Sequence, residues 1–258
     1  MSINEIRAKI QQHMQQKQQA LYLILDIDGT LCDFQNNPEQ CHIRPEIIYS
    51  LKQLLCVPGL QLCLLTGRAY ASAKRLCSDL KIPICSEHGL EQYTADGQCI
   101  RRYQQSGDYS LLISNVEQLH QHYPHLRIEH KQHGVALHFR EHPELADLVQ
   151  KFVSTQLQQC RGYIEKRGNH VVEIAPEQAN KGHSIRYLLA EHSHVAAVYI
   201  GDDITDEDAF QALNELDGIS IKVGTGNTAA QYRLDNIDQV ALLLKGLVDM
   251  YSSAELHA

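Results

Sequence analysis

The fold is decided by the segment LYLILDIDGTL, residues 21–31, an apolar run that ends in two aspartates. Because residues 21–25 are apolar at every position, they predict a strand buried on both faces in a parallel sheet. Asp26 and Asp28 follow two residues apart, so their side chains point the same way, and Gly29 lets the chain turn sharply. Open α/β sheets bind ligands at the carboxyl ends of their strands, which favours metal binding or acid/base work for these aspartates. Two solvated aspartates before an Asp-Gly turn are the alternative that this segment leaves open.

The composition is that of an ordinary globular protein of 258 residues, with 43% hydrophobic and 21% charged residues. A formal net charge of −8 and a pI near 6.0 provide no basic surface, so we expect neither nucleic acid nor a membrane as a partner. No signal peptide or membrane-spanning segment is predicted. Eight cysteines without C-x-x-C spacing predict reduced, mostly buried thiols of a cytoplasmic protein, and neither a disulfide framework nor a zinc site.

Strands and helices alternate along residues 21–101 and again along residues 178–258, which predicts a doubly wound parallel sheet. Residues 102–177 contain two hairpins and two amphipathic helices instead, as expected for an inserted α+β domain. Residues 1–20 predict a separate polar, glutamine-rich helical segment, to which we assign no function. The predicted fold is therefore an α/β core with an inserted α+β cap.

The candidate catalytic residues share one kind of position, the carboxyl end of a predicted core strand or the start of the following helix: Asp26, Asp28, Thr66, Lys181, Asp202 and Asp203. In a parallel sheet these positions meet at one edge. Carboxylates from two strands form an oxygen site of the kind Mg²⁺ prefers, and Mg²⁺ often binds phosphate oxygens as well.

Phosphate chemistry assigns each of these side chains a role. Asp26 can attack phosphorus to give an aspartyl-phosphate, and Asp28 can protonate the departing oxygen and later activate water. Thr66 and the backbone N–H groups of its loop, including that of Gly67, can hold phosphate oxygens. Lys181 can neutralise the charge shared by phosphate and nucleophile.

Four segments resemble the motifs of the haloacid dehalogenase phosphatases, in that family's order: DIDGT at 26–30, TGR at 66–68, NKG at 180–182 and GDDITDEDAF at 201–210. The last of them resembles the corresponding segment of trehalose-6-phosphate phosphatases, as do three more segments: SEHG at 86–89, IEHKQHGVALHFR at 128–140 and VVEIAP-x₃-NKG at 171–182. The resemblance covers nearly the whole chain beyond the first ~20 residues.

That resemblance implies a Mg²⁺-dependent phosphatase that forms trehalose from trehalose 6-phosphate, with Asp26 as nucleophile and Asp28 as acid and base. It implies that Mg²⁺ is bound by the Asp26 and Asp202 side chains and the Asp28 carbonyl, with two further aspartates just outside the metal's ligands: Asp203 and Asp206. A trehalose-phosphate synthase would act upstream and supply the substrate.

The inserted domain carries a polar hairpin face. A two-residue turn at His133-Gly134 would place Glu129 opposite His138 and bring the apolar residues of both strands onto one face. The opposite face would gather side chains suited to sugar hydroxyls: Glu129, Lys131, His138 and Arg140. A merely solvated sheet face is the alternative that the pattern leaves open.

By resemblance these side chains bind the disaccharide when the cap closes, together with Glu173 from a second hairpin predicted to turn at Gly168-Asn169. A related capped phosphatase for sucrose phosphate or mannosylglycerate phosphate is the nearest alternative function. A non-catalytic sugar-phosphate sensor is the alternative from a different class.

Overall fold

The structure is a computed structural model, and it describes residues 2–17, 20–33, 35, 40–78, 80–101, 109–168, 170–190, 192 and 194–255. Its contacts divide the chain into two compact units, a core unit of residues 1–101 and 180–258 and an inserted unit of residues 102–179.

The strands are β1 (Leu21–Leu25), β2 (Leu60–Leu65), β3 (Ile84–Ser86), β4 (Glu91–Tyr93), β5 (Cys99–Arg101), β6 (Arg127–His130), β7 (Val135–His138), β8 (Tyr163–Gly168), β9 (Val171–Pro176), β10 (Ala196–Gly201), β11 (Ile219–Val223) and β12 (Tyr232–Leu234). The helices are α1 (Ile3–Gln16), α2 (Pro45–Leu54), α3 (Tyr70–Leu76), α4 (Tyr109–His122), α5 (Ala146–Gln159), α6 (Lys181–Leu189), α7 (Thr205–Glu215) and α8 (Ile237–Glu255).

The core unit is built on an eight-stranded sheet in the order β12-β11-β10-β1-β2-β3-β4-β5. The strands from β12 to β3 are parallel, and β4 and β5 continue the sheet as an antiparallel edge. All five residues of β1 are buried, as their apolar run predicts. The α/β fold class is confirmed, with β1 at the centre of the sheet.

Alternate residues of β1 enter different apolar layers, which makes the sheet doubly wound. Leu21, Leu23 and Leu25 belong to the layer that contains buried residues of α1, α2 and α8. Tyr22 and Ile24 belong to the layer formed with α6 and α7. Both faces of the strand are therefore covered, which explains why it is apolar throughout.

The N-terminal segment that looked separate in the sequence is part of the core. Helix α1 begins with a capping box between Ser2 and Glu5, and Ile6, Ile10 and Met14 are buried in the α2–α8 layer. Three apolar side chains spaced four residues apart form a narrow stripe on the helix. The polar residues between them make this stripe hard to recognise in the sequence.

The inserted unit is a four-stranded antiparallel sheet in the order β6-β7-β9-β8. Apolar residues of these strands form one buried cluster with residues of α4 and α5. The register predicted for its first hairpin is wrong by two residues. Glu129 pairs with Ala136, not with His138, and the turn consists of residues 132–133 because the Lys131 N–H donates to the Gly134 carbonyl at 3.0 Å.

Close packing by a third strand explains the register. A Cβ atom at Gly134 would lie 2.5 Å from the Ile174 carbonyl oxygen of β9. The glycine is therefore needed for the approach of β9 and not for the turn. A shift of two residues keeps every side chain on its predicted face, so the same residues form the polar face and the same residues form the apolar face.

The second hairpin turns one residue later than predicted, whereas the first turns one residue earlier. Strand β8 continues through Gly168, which pairs with Val171. His170 occupies the turn with φ 59°, and Asn169 lies outside the described residues. Histidine is among the residues that tolerate this left-handed conformation.

The prediction that all cysteines are reduced is wrong for one pair. All eight lie in the described part of the chain, and Cys32 and Cys41 form a disulfide with their Cα atoms 6.5 Å apart. The other six are free thiols. No spacing rule signals this pair, because it depends on the turn after β1 lying beside the approach to α2.

Candidate active site

The centre of the site is a buried lysine between two carboxylates. Lys181 is the first residue of α6, and its Nζ donates to Asp26 Oδ1 at 2.7 Å and to Asp206 Oδ1 at 2.6 Å. Asn180 caps the helix by accepting the His183 N–H at 2.9 Å, which fixes the backbone that carries the lysine. Only 2% of the Lys181 side chain is exposed, so its charge is directed at these two acids.

Asp206, on α7, is the anchor of the loop after β10. One of its oxygens accepts from Lys181 and from the Tyr199 hydroxyl at 2.5 Å. The other accepts the backbone N–H groups of Asp202 at 2.8 Å and Asp203 at 2.9 Å. Both oxygens of this fully buried carboxylate are thus occupied, so Asp206 shapes the loop and is poorly suited to be a metal ligand.

Asp202 is the carboxylate with a spare buried oxygen. Oxygen atoms of Asp26, Asp202 and Asp206 lie within 4.8 Å of one another, and Asp202 Oδ1 is buried without a hydrogen-bond partner among the described residues. A buried, unpaired carboxylate oxygen is costly unless a cation joins it. Gly29, at φ +75°, makes room, because a Cβ atom there would collide with the Asp202 carboxylate. The carboxylate oxygens of Asp26 and Asp202 are donors of the kind that fits Mg²⁺.

The charges of the site also favour a cation. Burial and the charges of Asp206 and Asp28 raise the pKa of Asp26 to about 7, against the opposing effect of Lys181. Burial and the neighbouring aspartates raise the pKa of Asp202 to about 9. Asp26, Asp202 and Asp206 thus lie close together beside the Lys181 ammonium group, and a divalent cation would relieve the repulsion between them.

Burial alone would raise the pKa of Asp206, but Lys181 and the hydrogen bonds from Tyr199 and Asp203 outweigh it and hold this pKa below its ordinary value. Burial acts to lower the pKa of Lys181, but its two carboxylate partners raise it well above the usual range. Asp206 and Lys181 therefore form a stable ion pair, and Asp26 and Asp202 are the acids whose negative charge a metal ion would stabilise.

Asp28 is held by an arginine that the sequence reasoning left out of the site. Arg68 Nε donates to Asp28 Oδ2 and Arg68 Nη2 to Asp28 Oδ1, both at 2.6 Å. The same guanidinium donates to Ser72 Oγ at 3.0 Å and is only 7% exposed. Such a fork fixes both position and orientation of a carboxylate. The TGR segment at 66–68 was the sequence signal that could have identified Arg68 as a site residue.

The loop of Thr66 rests on a strained turn. Thr66 Oγ1 accepts the Arg68 N–H at 3.1 Å, so its hydroxyl can still donate to a phosphate oxygen. The Thr66 carbonyl accepts the His88 N–H at 2.8 Å, and a Cβ atom at Gly67 would lie 2.6 Å from the His88 ring. Glu87 and His88 are buried at φ 47° and 57°, a strain typical of functional sites.

A second buried lysine supports the Asp202 loop from β11. Lys222 Nζ donates to the Asp202 carbonyl and lies 3.6 Å from Glu207 Oε1. Glu207 in turn accepts the Ala229 N–H at 2.7 Å and the Thr228 hydroxyl at 3.1 Å. The chain after the glycine-rich residues 224–227 is thereby tied to the same loop.

In the inserted unit, the side chains of four of the five predicted substrate-binding residues lie in two pairs. Lys131 Nζ lies 2.5 Å from Glu173 Oε2, and His138 Nε2 lies 2.9 Å from Glu129 Oε2. Burial would raise the pKa of Glu129, but His138 and Lys131 hold it below its ordinary value. Arg140 follows β7 and is partly exposed. The unit thus presents charged and hydrogen-bonding groups in a small area.

Solved structures with the same fold define the class. A haloacid dehalogenase-like hydrolase from Bacteroides thetaiotaomicron aligns with a TM-score of 0.66 at 16% identity, covering 88% of this chain and 99% of that one. The C-terminal domain of C. albicans trehalose-6-phosphate phosphatase aligns with a TM-score of 0.81 at 20% identity, covering 94% and 96%. The fold is that of the haloacid dehalogenase-like hydrolases.

Sequence comparison narrows the class to one family. The Trehalose-phosphatase family model matches residues 24–238. A trehalose-6-phosphate phosphatase of Escherichia coli is 29% identical over 217 residues, covering 83% of this chain and 82% of that protein. A probable trehalose-phosphate phosphatase of Sinorhizobium fredii is 33% identical over 205 residues, covering 78% and 77%. The chain belongs to the trehalose-phosphatase family.

None of the helices in the described ranges is both long and apolar enough to cross a bilayer.

Proposed function

We propose that this trehalose-phosphatase hydrolyses trehalose 6-phosphate to trehalose and phosphate through an aspartyl-phosphate on Asp26, with Mg²⁺ as cofactor. The observation that carries the proposal is the buried cluster in which Asp26 is paired with Lys181 and lies beside the unpartnered oxygen of Asp202.

The first half-reaction uses Asp26 as nucleophile. Lys181 binds Asp26 Oδ1, so Oδ2 is the oxygen that attacks phosphorus as the bond from phosphorus to the sugar oxygen breaks. Lys181 offsets the charge that accumulates between nucleophile and phosphate. When bound by the Asp26 and Asp202 side chains and the Asp28 carbonyl, Mg²⁺ would neutralise phosphate charge. Asp203 and Asp206 then hold the metal's ligands in place without binding the metal.

Asp28 handles the protons of both half-reactions. It gives a proton to the departing sugar oxygen, then takes one from the water that attacks phosphorus, so that the acyl-phosphate bond breaks and phosphate leaves. Before substrate arrives, Arg68 holds both Asp28 oxygens. An incoming phosphate offers Arg68 another anion and frees Asp28. Thr66 and the N–H of Gly67 bind phosphate oxygens.

The inserted unit acts as the cap that reads the sugar. We assign disaccharide binding to Glu129, Lys131, His138, Arg140 and Glu173. The Lys131–Glu173 ion pair and the hydrogen bond between His138 and the Glu129 carboxylate support this assignment, because charge-assisted donors and acceptors discriminate among hydroxyl arrangements more strongly than neutral groups do. Closure of such a cap would exclude bulk water while the sugar phosphate is bound.

Phosphate release over a panel of sugar phosphates tests the proposal. Purified protein with Mg²⁺ is expected to show its highest kcat/KM with trehalose 6-phosphate, above sucrose phosphate and mannosylglycerate phosphate. Asp26→Asn should abolish turnover, whereas Asp217→Asn, at a carboxylate that is 83% exposed, should not change it. A preference for another sugar phosphate would contradict the substrate assignment.

Binding of trehalose 6-phosphate without turnover would instead support a sugar-phosphate sensor. Supply of the substrate by a trehalose-phosphate synthase and a cytoplasmic location stay predictions. Copurification of a synthase and fractionation of cells would test them.

A further inference from the structure

The Cys32–Cys41 pair lies against the carboxylate that handles protons. Cys32 Sγ is 3.8 Å and Cys41 Sγ 3.9 Å from Asp28 Oδ1, and both cysteines are buried, with 0% and 5% exposure. Their Cα separation of 6.5 Å falls within the range that a disulfide accepts without backbone movement. By contrast, Cys63 and Cys85 keep their sulfurs 3.8 Å apart as free thiols.

Cys32 also shares a backbone turn with Asp28. The Gly29 N–H donates to the Cys32 carbonyl at 2.8 Å, and the Cys32 N–H donates to the Ile27 carbonyl at 3.1 Å. A β-bridge joins Asp28 and Cys32 directly. A covalent bond from Cys32 to Cys41 therefore fixes the turn that carries the Asp28 side chain.

A small pocket borders this pair on the Cys41 side. Cys41 lines a cavity of about 260 Å³ together with His42 and the cationic side chain of Arg75. A cavity of this size admits part of a small molecule, and the guanidinium of Arg75 favours one that carries carboxylates.

We propose that Cys32 and Cys41 form a reversible oxidation site for an anionic low-molecular-weight disulfide, and that closing the bond lowers turnover through Asp28. The Cys41 thiolate attacks the reagent, forming a mixed disulfide and releasing one thiolate. Cys32, as thiolate, then attacks Cys41 Sγ, so the protein bond forms and the second thiol leaves. The protein loses two electrons and two protons, and the reagent gains them.

Oxidation would lower turnover in two ways. In the reduced state either S–H group can donate a weak hydrogen bond to Asp28 Oδ1, and in the disulfide neither can. Asp28 then keeps both hydrogen bonds from Arg68 without a competing thiol donor, and it must leave Arg68 to protonate the departing oxygen. The cross-link also limits the adjustment of its turn. This inference rests on the acid/base role proposed for Asp28.

The test compares one preparation, reduced with dithiothreitol and then oxidised with glutathione disulfide. Intact mass and peptide mapping should show loss of two hydrogen atoms and a Cys32–Cys41 linkage. The kcat for trehalose 6-phosphate should fall between about threefold and about a hundredfold, since misplacing a catalytic group by about 1 Å costs up to about 10²-fold. KM should change little, and dithiothreitol should restore kcat.

Variants separate this site from the other thiols. Cys41→Ser should keep its activity in oxidant, while Cys56→Ser, at an exposed free thiol, should respond like the unaltered protein. Anionic glutathione disulfide should react faster than cationic cystamine, and Arg75→Gln should remove that advantage. Failure to form the bond, a bond that leaves kcat unchanged, or the same loss in Cys41→Ser would each overturn the proposal. Reduced protein without turnover would contradict the proposed function, and the mass measurement would still decide whether the bond forms.

Discussion

Replacing Asp206 with asparagine tests the account of how the site is held together. The carboxylate is fully buried and accepts hydrogen bonds from Lys181, from Tyr199 and from the backbone N–H groups of Asp202 and Asp203. An amide of the same shape has one acceptor oxygen and places an NH₂ group against donors on its other side. One side of the network must therefore lose its hydrogen bonds, and Lys181 loses one of its two anions.

The size of the effect follows from burial. Removing one partner of a buried ion pair costs about 3–5 kcal/mol, so the free energy of unfolding of metal-free Asp206→Asn should fall by that amount. The melting temperature should fall by about 6–20 °C, since about 1 kcal/mol shifts it by about 2–4 °C in a chain of this size. Apparent Mg²⁺ affinity should fall about 10–100-fold, because the Asp202 loop loses the group that orients it.

The pH dependence of this loss has a definite sign. The pKa of Asp206 is lower in the folded than in the unfolded chain, so its contribution to stability is present above the unfolded pKa and is lost as the pH falls through the folded value. The difference between Asp206→Asn and the unaltered protein should therefore be largest near neutral pH and shrink in acid.

Urea unfolding in EDTA measures the first effect, and Mg²⁺ titration of phosphate release measures the second. Asp208→Asn is the matched control on the same helix. Asp208 accepts one hydrogen bond from Asn180 at 2.8 Å, which an asparagine oxygen can also accept, so it should cost less than about 1 kcal/mol. The reasoning is refuted if Asp206→Asn lies within about 1 kcal/mol of the unaltered protein and binds Mg²⁺ equally well.

Three further predictions concern other parts of the site. Arg68→Lys keeps the charge but loses the fork, and should lower kcat/KM by about 10–100-fold in initial-rate assays; an unchanged value would exclude a positioning role. Without metal, stability should fall as pH rises from about 4 to about 9, because the folded pKa values of Asp26, about 7, and Asp202, about 9, exceed the unfolded ones. Mg²⁺ should offset this fall in melting curves, and a flat metal-free profile would contradict the charge assignment. Lys131→Met removes the ammonium group that pairs with buried Glu173, and should raise KM for trehalose 6-phosphate more than for p-nitrophenyl phosphate; equal changes would remove Lys131 from sugar recognition.

The core was predictable because its signals are local and redundant. An all-apolar run such as residues 21–25 has few ways to be buried, and the strand-end rule then predicts which polar residues meet. That Asp26, Asp202 and Lys181 lie together follows from topology alone. Their roles still depend on chemistry that only substrates can test.

Other features could not be predicted from local patterns, because they depend on contacts between distant parts of the chain. The turn of the first inserted hairpin was misplaced because Gly134 is required by the close approach of β9 and not by the turn. The sequence of the hairpin alone does not contain this information. Arg68 was left aside because its fork to Asp28 spans 40 residues. The Cys32–Cys41 bond depends in the same way on two loops meeting.

Trapping the covalent intermediate tests the central claim most directly. Protein turning over trehalose 6-phosphate with Mg²⁺ is quenched in acid, treated with borohydride and mapped by mass spectrometry. An acyl-phosphate on Asp26 is reduced to homoserine at that position, and we predict this product, dependent on both substrate and Mg²⁺. Rapid phosphate release with unmodified Asp26, or reduction at a different carboxylate, would contradict the account.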